Sequence, residues 1–272
     1  MNDCDGCNSV QVIKDAHKVL ESDYGIPFSD SLWIFGQRTG LLSLLSFERT
    51  NDGYCVAKRP EYMDLVGFVK SGKIDTLHTW GDFPYGGFER KLVEQAMPHL
   101  KGLNLVAWTD HGGFSDLQNL LPLGRGDVPG KYYHLDYCHE LGIRYYSRSI
   151  DTTVFRSASR LFTKCGYGFY FKRFRGPPKW HVNSICLTDL PQQIKMAEKN
   201  SLWHRCSADI IILTHLYAHP NPMMPEGWES LAPETYSSHL PDEVDSCLRK
   251  LANKVDSGTL EILRFKDLVD TT

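Results

Sequence analysis

Apolar positions along the chain alternate between a spacing of three to four residues and short continuous runs. Val12, Ile13, Ala16, Val19 and Leu20 predict an amphipathic helix over 10–20, stopped by Gly25 and Pro27. A strand follows over 31–35, then a helix over 61–69 closed by Ser71 and Gly72. A strand is predicted over 74–80, and a helix over 88–100 with Leu92, Val93, Ala96 and Met97 on one side. The run 103–108 reads as a strand buried on both faces, the form parallel sheets take. A helix over 134–141, Gly142 and a strand over 143–146 come next. Residues 190–202 read as helix, 208–214 as the most strand-like run, and 242–255 as a helix with Pro241 before it and Gly258 after it. A last strand over 260–263 closes the series.

Repeated strand–helix units predict a parallel sheet, open or closed into a barrel. The segment 152–187 breaks the rhythm with Gly166-Tyr167-Gly168 and Gly176-Pro177-Pro178, and reads as an inserted hairpin or long loop over one barrel end. No repeat, low-complexity tract or linker divides the chain, so one domain over 1–272 is expected. A length of 272 residues suits a single α/β barrel, which commonly runs to roughly 250.

Hydrophobic residues at 42% and charged residues at 23% mark an ordinary globular chain. The formal charge of -3 argues against a general attraction to nucleic acid or acidic membranes. Eight cysteines lack a framework spacing and read as reduced thiols. Cys4 and Cys7 form a C-x-x-C, but no second pair stands nearby to complete a zinc knuckle. No apolar stretch approaches the roughly 20 residues a membrane span needs, and no signal peptide is visible. A cytoplasmic protein without membrane insertion is the expectation.

Candidate chemistry gathers at predicted strand ends, where such sheets place their sites. His78 and Asp82 lie four apart where the strand over 74–80 gives way to polar residues. An imidazole and a carboxylate there suit zinc or another divalent metal, or else simply cap a helix start. His215 directly follows the apolar run 210–213 and Thr214; it reads as a hydrogen-bonded core histidine or as an acid or base. Asp110-His111-Gly112-Gly113 follows the strand over 103–108, either as a tight turn or as a place where backbone approaches a ligand. Asp3 and Asp5 sit where a strand preceding the first helix would end, with only Met1 and Asn2 before them. That first strand is therefore expected to be missing. The run 169–175 mixes aromatic and basic residues and reads as an exposed strand, a sugar-stacking rim or a nucleic-acid surface, the charge opposing the last.

Taken in order, Asp3-x-Asp5, the helix ending in Tyr24-Gly25-Ile26-Pro27, His78-x-x-x-Asp82 and Ile211-x-Leu213-x-His215 resemble the polysaccharide deacetylase family, carbohydrate esterases of the distorted β/α-barrel kind. The likeness is to its divergent members from O-antigen and surface-polysaccharide loci, and it covers nearly the whole chain. It implies that Asp3 is the general base and His215 the acid that protonates the leaving group. It implies a divalent metal, zinc by preference, held by Asp5, His78 and Asp82, the last standing where many members carry a second histidine. Such a site polarises a carbonyl and generates hydroxide near neutral pH. Asp110, His111, Trp80 and Arg148, at or beside predicted strand ends, are expected to contact a carbohydrate substrate.

The chain departs from the pattern in two places. The family's arginine-bearing third motif is not evident, and Asp110 to Gly113 stand in its place; Ser147-Arg148 stand where the aspartate–tryptophan motif belongs. Both departures remove groups that orient the base and acid. The expectation is thus a metal-dependent hydrolase that removes an acetyl group from a sugar. The alternatives are an inactive carbohydrate-binding protein on the same fold and a metal hydrolase of another amide or ester.

Overall fold

The computed structural model describes residues 7–36, 42–81, 83, 87–110, 117–120, 124–149, 169–173, 178–183, 191, 194–195, 210–213, 218–220, 228–230, 240 and 242–270; for strands beyond residue 145, and for 268–270, it describes the backbone alone. Helix α1 (Val10–His17) starts at Ser9, whose Oγ accepts the Gln11 N–H at 3.1 Å and caps the first turn. It buries Val12, Ile13 and Ala16, then widens into a π-helical turn over Lys18–Asp23. Gly25, at φ +66°, ends the segment as expected from its freedom to adopt a left-handed conformation.

Three successive strand–helix–strand steps build the centre. Strand β1 (Asp30–Phe35) is followed, after a hairpin, by α2 (Tyr62–Ser71) and β4 (Ile74–His78). Helix α3 (Arg90–Leu100), β5 (Ala107–Thr109), α4 (Leu135–Glu140) and β6 (Tyr145–Ser149) continue the pattern. Strands β1, β4, β5 and β6 are mutually parallel neighbours. The hairpin is β2 (Ser43–Thr50) and β3 (Gly53–Lys58), turning at Asn51 and Asp52, with β2 parallel to β1 and β3 antiparallel to β2. Five strands in the order β3-β2-β1-β4-β5 therefore form a mixed sheet within a mixed α/β fold.

The backbone carries the sheet further, through β6, β7 (Phe169–Arg173), β8 (Pro178–Asn183) and β9 (Ile210–Leu213). No pairing among the described residues joins β9 back to β3. A separate pair, β10 (Ala218–Pro220) and β11 (Trp228–Ser230), is antiparallel. The chain closes with α5 (Asp242–Asp256) and α6 (Phe265–Asp270).

Three expectations are corrected, and one element is new. The hairpin over 42–58 was not anticipated, although its polar–apolar alternation and Asn51-Asp52-Gly53 turn are hairpin signals. The expected strand over 103–108 shrinks to β5, because Gly102 at φ +82° and the Leu103 N–H bond to Leu100 O keep the chain turning until Val106 reaches Asp75 O. The inserted hairpin over 152–187 does contain antiparallel β7 and β8, but β7 pairs with β6, so it extends the sheet edge. An edge of unpaired N–H and C=O groups favours such continuation. Residues 260–263 pair with no strand among the described residues and lead into α6, where Asp267 accepts the Arg264 N–H at 3.0 Å and caps the helix. Most of the helix expected over 190–202 lies outside the described residues.

The two faces of the central strands each mix apolar and polar side chains. Leu32, Ile34, Leu44, Leu77 and Trp108 join the side chains of α1, α2 and α3 in one apolar cluster. The opposite face, set by alternation along each strand, carries Ser31 and Trp33 of β1, Ser43 of β2, Thr76 and His78 of β4, and Ala107 and Thr109 of β5. Register confirms the rows: Ser31 pairs with Thr76, Thr76 with Ala107, Trp33 with Ser43 and His78 with Thr109. Every one of these residues is buried. The same face also carries Phe35, Leu45 and Ile74, and the helix side carries buried Asp30 and Asp75, so polar side chains enter this buried sheet from both sides, where parallel strands are ordinarily apolar.

Candidate functional site

His78 is the last residue of β4 and is 2% exposed. Its ring stacks on the indole of Trp33 from β1, with centroids 5.5 Å apart and planes 17° from parallel. Thr109 of β5 is its register partner on the other side. An aromatic platform, an imidazole and a hydroxyl thus share one row across three neighbouring strand ends.

The backbone changes course immediately after His78. Thr79 adopts φ +54°, the only non-glycine positive φ among the described residues. A β-branched side chain in this region is strained. The kink breaks strand alternation and turns Trp80 toward the helix side, where it meets Trp108 at 6.3 Å and His134 at 5.7 Å. Trp80 is fully buried and belongs to the core. Gly81 then passes so close to β1 that a Cβ there would lie 2.5 Å from Phe35 O. Only glycine fits.

Two braces hold the kink. From β1, the Phe35 N–H donates to Trp80 O at 2.8 Å. From the segment after β5, the Gln118 side chain reaches across: its Oε1 accepts the Trp80 N–H at 2.8 Å and its Nε2 donates to Gly81 O at 2.6 Å. Since a backbone N–H must meet the oxygen and a carbonyl must meet the NH2, the amide's orientation is fixed by its partners.

Asp110 directly follows β5 and is 8% exposed. Its Oδ1 accepts from Trp108 Nε1 at 2.8 Å and from the Leu120 N–H at 2.9 Å. One carboxylate oxygen is therefore engaged in folding the loop back onto the sheet. His134 and Cys138 superficially suggest a nucleophile–base pair, with Sγ 3.4 Å from Nδ1. But His134 Nε2 lies 2.6 Å from Gln118 O and must donate to it, so Nδ1 accepts from the thiol. Burial pushes the Cys138 thiol well above its usual range, with nearby Asp136 and Asp110 adding to the effect. That thiol is structural.

The opposite end of the sheet holds a third buried histidine. His17 places Nε2 3.0 Å from Asp30 Oδ2 and Nδ1 3.0 Å from Glu21 Oε1, and its ring stacks on Phe28 at 4.0 Å. Glu21 is in turn held by Arg264 and lies 3.7 Å from Lys73. This network ties α1 to β1 and to the chain's end.

Of the residues singled out in the sequence, the structure brings His78 and Asp110 to adjacent strand ends and sends the Trp80 side chain into the core. Arg148 lies on β6, one residue past the register partner of Thr109, with only its backbone described. Asp3, Asp5, Asp82, His111 and His215 lie outside the described residues. Among the described residues no group of three or more ligating side chains gathers as a metal site, and His78 supplies one donor of suitable chemistry. No helix among them is long and apolar enough to cross a membrane. The chain matches no family model, no curated protein and no solved structure.

Trp33, Thr79, Thr109 and Gln118 were not picked out from the sequence. A signal existed for the first and third: Ser31-x-Trp33 and Ala107-x-Thr109 give them the same alternating place in their strands that Thr76-x-His78 gives His78.

Proposed function

We propose that the protein is a metal-dependent hydrolase of the carbohydrate-deacetylase kind, with its site at the carboxyl ends of β1, β4 and β5. The observation that carries this reading is His78, buried at a strand end in one row with Trp33 and Thr109 and followed at once by strained backbone. Backbone strain at a strand end concentrates at functional positions, and the carboxyl ends of parallel strands are where such sheets bind ligands. In this reading the face that carries His78 is the inner wall of a distorted β/α barrel, with the strands beyond β6 bending to enclose it.

His78 supplies one metal ligand, with Asp5 and Asp82 as the others and zinc as the preferred ion. The metal, when bound, polarises the substrate carbonyl. Asp3 takes the proton from water, and His215 gives one to the leaving group. Trp33, stacked on His78, offers an apolar plane against which a sugar ring can lie. Asp110, His111 and Arg148 complete the wall that faces an acetylated sugar, in a cytoplasmic step of surface-polysaccharide synthesis.

Purified protein is expected to bind about one zinc per chain, and His78→Ala to weaken that binding by at least about 100-fold, which is roughly 2.7 kcal/mol. Acetate release from acetylated sugars should depend on Asp3. Protein without bound or bindable zinc, and a His78→Ala variant identical to wild type, would refute the reading. Zinc and sugar binding with no acetate release would leave instead a carbohydrate-binding protein, the reading favoured by the two departures from the deacetylase pattern.

A further inference from the structure

The kink after His78 is held by a side chain that belongs to neither β4 nor β1. We infer that Gln118 is a positioning residue for the ligand site: its carboxamide locks the strained Thr79–Gly81 backbone and so sets the direction in which the chain leaves His78. This inference rests on the ligand site proposed above.

The geometry is specific. At Trp80 and Gly81, β4 has passed beyond its last pair with β5, His78 with Thr109, so the side of the chain facing β5 has no ladder partner from that strand. Gln118 fills this place with one acceptor and one donor, at 2.8 and 2.6 Å, and so satisfies two backbone groups that the kink takes out of the ladder. It is fully buried, so water cannot substitute for it. Gln118 is itself anchored. Its carbonyl oxygen meets His134 Nε2 at 2.6 Å, and the loop around it is fixed by Leu120 N–H on Asp110 and by Gly126 N–H on Asn119 O at 3.1 Å.

The chain of support runs from α4 through His134 to Gln118, and from Gln118 to the backbone beside His78. Asp110 joins the same loop from the end of β5. A left-handed Thr79 persists only where its surroundings over-determine it, and Phe35 on one side with Gln118 on the other are those surroundings. Residues that orient a metal-ligating segment in this way typically change metal affinity by about 10–100-fold when replaced.

The test uses the full-length protein and zinc alone. Zinc affinity is measured by competition with a chelating dye for wild type, His78→Ala, Gln118→Met and Gln118→Glu, alongside hydrogen exchange at the Trp80 amide. Gln118→Met keeps the volume and removes both bonds; it should weaken zinc about 10-fold or more in protein that remains folded, and accelerate exchange at Trp80. Gln118→Glu keeps an acceptor for the Trp80 N–H but sets a second carboxylate oxygen against Gly81 O; it should weaken zinc and accelerate exchange at Trp80 at least as much as Gln118→Met. A merely structural glutamine would lower the melting temperature and leave the zinc affinity of the folded protein unchanged. That result, with zinc still lost in His78→Ala, overturns the inference and spares the site. Wild-type protein that binds no zinc overturns the site itself, and the inference with it. Should Gln118→Met fail to fold, Gln118→Glu decides by the same criteria.

Discussion

Two buried histidines sit at opposite ends of the same sheet, and their surroundings differ in kind. His17, beside the first residue of β1, has a carboxylate against each ring nitrogen and a ring stacked beneath it. It is the last residue of α1, at the start of the π-helical turn that carries Glu21, its backbone is right-handed throughout, and its partners Glu21 and Asp30 are themselves held. His78, at the last residue of β4, is followed by a left-handed threonine, a glycine no other residue can replace and a glutamine borrowed from another segment. The first arrangement joins three elements by charge. The second holds backbone in a conformation the chain would not choose. The comparison teaches that burial of a histidine is not itself a sign of function; what is built around it is.

The largest effect expected on stability lies at the His17 end. His17→Ala removes the two carboxylate contacts and the Phe28 stack from a fully buried site and should cost about 3–5 kcal/mol in urea unfolding, with zinc affinity of the remaining folded protein unchanged. If His78→Ala proved equally destabilising, the division between a structural and a functional histidine would fail.

A surface pair provides the scale for ordinary charge effects. Arg90 grips Asp136 at 2.8 and 2.7 Å, and its guanidinium holds the Asp136 carboxyl below the usual carboxylate value. A depressed folded value means the pair's stabilisation is present above the ordinary carboxylate range and is lost as pH falls through the lowered value. Because Asp136 is 43% exposed, Asp136→Asn should cost no more than about 1 kcal/mol near neutrality, and the difference from wild type should vanish in acid. Urea titrations at several pH values between neutrality and strong acid check both statements. A loss as large as that for His17→Ala would show that burial does not set the size of these effects.

The smallest effect is expected at Thr79. Thr79→Gly removes the strain of a positive φ and adds unfolded-state freedom, two terms of about 1 kcal/mol that oppose each other. Stability should stay within about 1 kcal/mol of wild type in thermal and urea unfolding. Thr76→Gly, in regular strand two residues before His78, should cost clearly more, since no strain offsets its lost side chain. Equal costs at the two positions would mean that Thr79 is not strained.

Much of the scaffold was legible before any coordinates. The helices around Val12 to Ala16, Leu65 to Val69 and Leu92 to Ala96 announce themselves by spacing, and β1 and β4 by uninterrupted burial. The β2–β3 hairpin is signalled by its Asn51-Asp52-Gly53 turn, but its outer half is exposed and Leu44-Leu45 break strict alternation in its first strand. Residues 260–263 misled because four residues of apolar bias suit a strand or a covered loop equally well.

What the sequence determined by itself was local: which segments bury one side, where glycine or proline stops them, and that His78 falls at a strand end facing polar company. These follow from periodicity, which is written into neighbouring residues. Only the tertiary structure decided that Trp33 lies against His78, that Trp80 turns into the core, and that Gln118 holds the backbone between them. Gln118 stands 38 residues from Trp80 in the chain. No local pattern encodes a partnership at that distance, because it exists only once β4 and β5 pair and leave two backbone groups to be satisfied.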